Sequence, residues 1–92
     1  MTKNELIDDL DITYGDSTTR RVIENLVNGL FDAITDALRD GETVTITGFG
    51  VFERVYRRER IGHNPATGGT VSIPAKNVAK FRPGATLKRA VA

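Results

Sequence analysis

Residues 22–38 carry apolar side chains at a helical spacing too broad for so short a chain to cover. Val22, Ile23, Leu26, Val27, Leu30, Phe31, Ile34, Ala37 and Leu38 recur three and four residues apart, which predicts a long helix with one wide apolar face. Asp16 or Ser17 can cap its start, and Gly41 stands where a left-handed C-terminal residue is expected. Such a face needs more cover than one short helix and a small sheet can give. Dimerisation through it is the simplest physical answer, with Leu30, Phe31 and Ile34 at its centre. Packing in a larger helical bundle is the alternative.

Length sharpens this constraint. Ninety-two residues make one domain, and a chain of this size buries only about 60–65% of its unfolded surface. There is no cysteine and a single histidine, so neither disulfides nor a Cys- or His-based metal site can supply the missing stability. Association with a second chain is the remaining common remedy. No window approaches the roughly 20 apolar residues of a membrane helix, and Met1-Thr2-Lys3-Asn4-Glu5 lacks the apolar run of a secretory signal, so a cytoplasmic location is expected.

The net charge of +1 conceals a segregation. Residues 1–42 hold four basic against ten acidic side chains, a balance of −6; residues 43–92 hold nine against two, a balance of +7. One half is suited to meet a polyanion while the other faces away; a dipolar surface with no partner is the plainer reading.

Before the long helix, Thr2 and Glu5 form a capping-box pattern, with Leu6, Leu10 and Tyr14 spaced i, i+4 and Ile7 beside them. A short helix over about residues 3–13, closed by Gly15, follows. From Thr43 the period changes to two. Thr43–Thr47 puts Val44 and Ile46 on one side and threonines on the other, a half-buried strand. Gly48-Phe49-Gly50 turns the chain into a β segment from Val51 to about Arg60, apolar at first and then wholly polar at Arg57-Arg58-Glu59-Arg60. That strand leaves the protein body. Thr70–Ile73 returns, and Pro83 can occupy the first turn of a terminal helix from Gly84 to about Val91. The fold class expected is α+β: an N-terminal helical hairpin, a three-stranded antiparallel sheet with a long protruding β-ribbon arm over about residues 54–72, and a short C-terminal helix. Residues 1–42 form a helical dimerisation base, and residues 43–92 the sheet, the arm and the last helix.

The arm tip reads Ile61-Gly62-His63-Asn64-Pro65-Ala66-Thr67-Gly68-Gly69. Alone, Asn-Pro-x-x-Gly is an ordinary turn signal. Here it crowns an exposed two-stranded arm flanked by Arg54, Arg57, Arg58 and Arg60, narrow enough to follow a nucleic-acid groove. A tip proline is a rigid apolar wedge with no N–H to leave unsatisfied.

Three spaced motifs carry a family resemblance over nearly the whole chain: Gly48-Phe49-Gly50-x-Phe52, Arg60-x-Gly62-x-Asn64-Pro65-x-Thr67-Gly68, and Phe81-x-Pro83-Gly84. Together they resemble the signature of the bacterial histone-like HU and integration host factor proteins. The resemblance implies an intertwined homodimer or heterodimer whose two β-arms embrace double-stranded DNA, bending and compacting it through the minor groove, and it places the protein in the nucleoid. It implies Pro65 as the intercalating wedge with Asn64 beside it. Arg57 and Arg60 reach the minor groove, Lys3, Lys76, Lys80, Arg82 and Lys88 contact phosphates, and Phe49, Phe52 and Phe81 are core and dimer-interface aromatics. Two positions depart from the family's pattern. His63 stands where the family usually has arginine, as a tip contact or as a plain exposed turn residue, and Gly69 stands where a charge is common.

No cofactor and no metal are expected, and catalysis is not: Ser17 reads as a cap, Ser72 as a strand residue, and Asp8-Asp9 as a solvated helix face. Two alternatives remain beside a histone-like binder with little sequence preference. One is a site-specific integration-host-factor-like subunit; the other is a protein–protein interaction module on the same fold.

Overall fold

The computed structural model describes all 92 residues, in two compact units, Met1–Asp36 and Ala37–Ala92. In the first unit, α1 (Lys3–Tyr14) runs antiparallel to the start of α2 (Arg20–Arg39). Lys3 Nζ meets Asn28 Oδ1 at 2.8 Å at one end, and Arg20 meets Asp8 at 2.6 Å and Asp11 at 3.8 Å at the other. Thr2 caps α1, its Oγ1 accepting from the Glu5 N–H at 3.3 Å and lying 3.4 Å from Glu5 Oε1. The start of α2 lies later than the sequence suggested. Neither Asp16 nor Ser17 caps it; Thr19 Oγ1 accepts from the Val22 N–H at 3.3 Å, because Ser17 and Thr18 are drawn back onto the Tyr14 carbonyl. Hydrogen bonds that the Arg20 guanidinium donates to the carboxylates of Asp8 and Glu24 raise its pKa above the ordinary value.

Very little of the apolar surface is covered. Ile7 and Ile23, 2% and 5% exposed, are the buried apolar side chains of the entire chain, and two isoleucines worth about 1.5–3 kcal/mol each are a small core for ninety-two residues. Leu26 is 68% exposed and Leu30 54%, with Phe31 also open. Of the α1 stripe, Ile7 rather than Leu6 or Tyr14 is the residue that packs.

In the second unit, β1 (Val44–Ile46), β2 (Gly50–Arg57) and β5 (Lys76–Pro83) form an antiparallel sheet in the order β1-β2-β5. A separate two-stranded ladder joins β3 (Arg60–His63) to β4 (Thr70–Ile73), and α3 (Ala85–Val91) ends the chain. The segment expected as one strand from Val51 to Arg60 is therefore two. The β2–β5 register ends at Arg57↔Lys76 and the β3–β4 register begins at Arg60↔Ile73. Opposite the break stands Pro74, which has no N–H to donate to a ladder. Pro83 likewise ends β5 instead of opening α3, whose N-cap is Gly84.

The β2–β5 ladder is unbroken over eight pairs, so alternate residues share a face. Phe52 lies opposite Phe81, their rings 4.7 Å apart, with Phe49 5.6 Å from Phe81. Val44 and Ile46 join that face through their pairing with Phe52 and Gly50. Gly50 is buried beneath the aromatic cluster. A Cβ there would stand 2.5 Å from Phe81 Cε1 and 2.6 Å from the Arg82 carbonyl oxygen, and backbone cannot swing aside. Gly50→Ala is expected to destabilise the fold by about 1–3 kcal/mol, read as a lower denaturant midpoint at fixed protein concentration.

Candidate nucleic-acid interface

The register sorts the basic residues of the second unit. On the face of β2–β5 opposite the aromatic cluster stand Arg57, Lys76, Lys80 and Arg82, with Val51, Val55 and Val78 between them. All four cations are exposed. From Lys76 to Arg82 the strand advances about 20 Å, which matches about six base pairs of duplex at 3.4 Å each. Glu53 is the one acid on this face. It lies opposite Lys80 and holds Arg82 through a fork, Nε to Oε1 at 3.1 Å and Nη2 to Oε2 at 3.5 Å. Arg82 is thus oriented along the sheet and partly neutralised, while Arg57, Lys76 and Lys80 project without an acid between them.

Arg54 falls on the other face. Its Nη1 donates to the Arg39 carbonyl at 3.0 Å, satisfying one of the carbonyls that the end of α2 leaves free, and its guanidinium covers Gly41. Gly41 has a φ of +82°, the left-handed residue the sequence placed there. Arg54 is therefore a helix-end partner, set apart from the cationic face. Lys88 and Arg89 sit in the last turn of α3. Lys3 belongs to the first unit, where it donates to Asn28.

Where the two ladders separate, an open concavity of about 530 Å³ is lined by Arg57, Arg58, Arg60 and Lys76, with Glu59 as its acid. Glu59 is engaged, its Oε1 accepting from Ser72 Oγ at 3.0 Å. Beyond this point the arm narrows to β3 and β4. Gly62 lies across from Val71, and its hydrogen leaves room for Ile73, whose Cδ1 would come within 2.8 Å of a Cβ. Ile61 and His63 occupy the opposite face with Ser72 and Thr70.

The tip is a closed turn. The Asn64 N–H donates to the Gly69 carbonyl and the Gly68 N–H to the Asn64 carbonyl, both at 2.8 Å. Asn64 Oδ1 accepts from the Ala66 N–H at 3.0 Å, and Gly68 takes a φ of +69° that a side chain would resist. Pro65 is left exposed at the end of this hydrogen-bonded turn. Asn64 has its carboxamide oxygen committed to holding that turn.

The sequence identified the cationic residue types but not Glu53, which divides the basic face, nor the different position of Arg54. The even spacing of Lys76, Lys80 and Arg82 is the signal that could have grouped them, had β5 been recognised as a strand. No group of three or more His, Asp or Glu converges on a point that could hold a metal ion, and no helix is long and apolar enough to cross a membrane.

The family model for bacterial DNA-binding proteins matches residues 1–92. The chain is 45% identical over 91 residues to DNA-binding protein HU of Geobacillus stearothermophilus, covering 99% of each. It is 42% identical over 91 residues to the integration host factor beta subunit of Histophilus somni, covering 99% of this chain and 96% of that one. Among solved structures, an Anabaena HU–DNA cocrystal structure superposes with a TM-score of 0.87 at 34% identity, over 100% of this chain and 98% of that one.

Proposed function

This chain belongs to the family of bacterial DNA-binding proteins that includes HU and integration host factor, and from that membership we propose that it is a dimeric architectural protein that bends double-stranded DNA. The observation that carries the reading is the continuous basic track from Lys80 through Lys76 and Arg57 to an arm whose far end presents a bare proline on a hydrogen-bonded turn. The protein is not an enzyme.

Each part has a physical task. Arg57, Lys76 and Lys80 neutralise phosphates and release condensed counterions, with Arg82 and Lys88 of the same unit adding to them. Arg58 and Arg60 carry the charge onto the arm, which enters the minor groove. Pro65 wedges between base pairs, the strategy of minor-groove architectural proteins among which HU and integration host factor are known examples. Unstacking one step costs a few kcal/mol, offset by the extra duplex that a bend brings onto the basic track. Few side chains of the arm are suited to reading major-groove base edges, so shape and deformability guide binding, with weak sequence preference.

A dimer follows from the uncovered faces. Leu26, Leu30 and Phe31 on α2 and Phe49 and Phe81 on the sheet stay exposed in a single chain, and a second copy covers them. The nucleoid is the corresponding location.

The test is competition. A labelled duplex bound by the protein should be displaced by random-sequence DNA at nearly the same concentration as by itself. Displacement by one sequence only would assign the site-specific, integration-host-factor-like role instead. No binding at low salt would leave the protein–protein module.

A further inference from the structure

One surface leads from the basic sheet face onto the arm. The concavity between the two ladders is shared by Arg57, Lys76 and Val78 of the sheet and by Arg60 and Ile73 of the arm. Arg60 pairs with Ile73 and Gly62 with Val71, so these four stand on one face of the β3–β4 ladder. Beyond Arg60 that face holds no charge, since residues 61–75 contain no Asp, Glu, Lys or Arg. It is apolar instead. Gly62 has no side chain to part its neighbours: a Cβ there would stand 2.8 Å from Ile73 Cδ1 and 3.5 Å from Val71 Cγ2, so the two β-branched residues close over β3 as one patch. Val71 is 45% exposed. The opposite face is different. Ile61 is 72% exposed there, among His63, Thr70 and Ser72, and Ser72 holds the carboxylate of Glu59 at 3.0 Å. An acid on that face repels phosphates and favours turning it away from a duplex.

We infer that the face of Gly62, Val71 and Ile73 is the groove-facing surface of the arm, and that it holds the minor groove by apolar contact with the deoxyribose walls and not by charge. The inference rests on the DNA-binding function proposed above and deepens it. Arg60 marks the point where the arm stops pairing with phosphates. Past it, Val71 and Ile73 displace water from the C–H edges of the sugars, and the same uncharged stretch carries Pro65 to the base step. Contacts between uncharged groups release no counterions. This part of the binding is therefore insensitive to salt, unlike the track of Arg57, Lys76 and Lys80.

The experiment is anisotropy of a labelled nicked duplex across a salt series, with wild type, Val71→Ala and Ile61→Ala. Both substitutions trim an exposed β-branched residue of the same two-stranded ladder and cost it similar strand propensity, so loosening of the ladder affects the two alike. Val71→Ala should weaken binding by about fivefold for each arm engaged, by the same factor at every salt concentration, with the wild-type slope retained. Ile61→Ala removes the more exposed side chain, yet should bind as the wild type does. Equal losses in the two variants, no loss in Val71→Ala, or a loss that comes with a shallower slope overturns the inference while leaving DNA binding intact. So does a lower light-scattering mass of DNA-free Val71→Ala, which would assign the patch to a second copy of the chain. Absence of wild-type binding at low salt overturns the proposed function, and this inference with it.

Discussion

Replacing Arg57, Lys76 and Lys80 together by glutamine is expected to lower the salt slope of DNA binding by about 2.7 for each protomer engaged, and affinity near 0.1 M salt by about 500-fold. The three side chains share one face of the β2–β5 ladder, are exposed, and are not held by the one acid there, since Glu53 is forked onto Arg82. They have no part in the aromatic cluster on the other face, so melting should change little. Arg54→Gln provides the contrast. Its guanidinium closes the end of α2 on the Arg39 carbonyl, so its loss should lower thermal stability by about 0.3–1 kcal/mol while leaving the salt slope nearly unchanged. A slope that falls as much for Arg54→Gln as for any one of the three would mean that the face assignment is wrong. The measurement is anisotropy of a labelled duplex across a salt series, beside melting curves of each variant.

Leu30→Asp is expected to abolish the dimer and with it most of the stability. In the single chain Leu30 is 54% exposed, and an exposed substitution normally moves stability by less than about 0.5 kcal/mol. In the proposed dimer the same position would be covered, and a carboxylate there would be buried without a partner, at a cost of several kcal/mol. At about 4–8 °C per kcal/mol for a domain of this size, the melting temperature should fall by roughly 15 °C or more. Light scattering of the wild type should give two chains and of the variant one. A wild type that scatters as a monomer, with Leu30→Asp melting unchanged, would remove the dimer from the account. The magnitude separates these readings cleanly.

How much of this was legible beforehand depended on whether a feature is local. The apolar spacing from Val22 to Leu38 is a local signal, and α2 follows it; so is the N-cap at Thr2. The tip turn was readable from Asn64-Pro65 and Gly68 because turn chemistry is a property of a few adjacent residues. The β5 strand was not. Its apolar residues, Val78 and Phe81, are three apart and point to opposite faces, Val78 meeting Val55 and Phe81 meeting Phe52. The alternation of Ala79, Phe81 and Pro83 with Lys80 and Arg82 is short and is interrupted by Val78 on the basic face, and β2 offers the segment its partner. The break after Arg57 is equally non-local: nothing in Arg57-Arg58-Glu59-Arg60 suggests it, and Pro74 stands opposite, between β4 and β5. The same reasoning explains why the cations formed one pool in the sequence. Which of them share a face is fixed by register, and register separates Arg54 from Arg57 and ties Arg82 to Glu53.

The central claim is that the arms bend DNA by driving Pro65 between base pairs. The most direct measurement is energy transfer between dyes on the two ends of a short nicked duplex, titrated with wild type and with Pro65→Ala. The tip turn is closed by hydrogen bonds of Asn64, Gly68 and Gly69, so the variant keeps the arm's shape and loses the wedge. The account predicts that wild type brings the duplex ends together and that Pro65→Ala, still bound through the basic track, brings them together far less. Saturated binding of wild type with the ends no closer than in free DNA would contradict it.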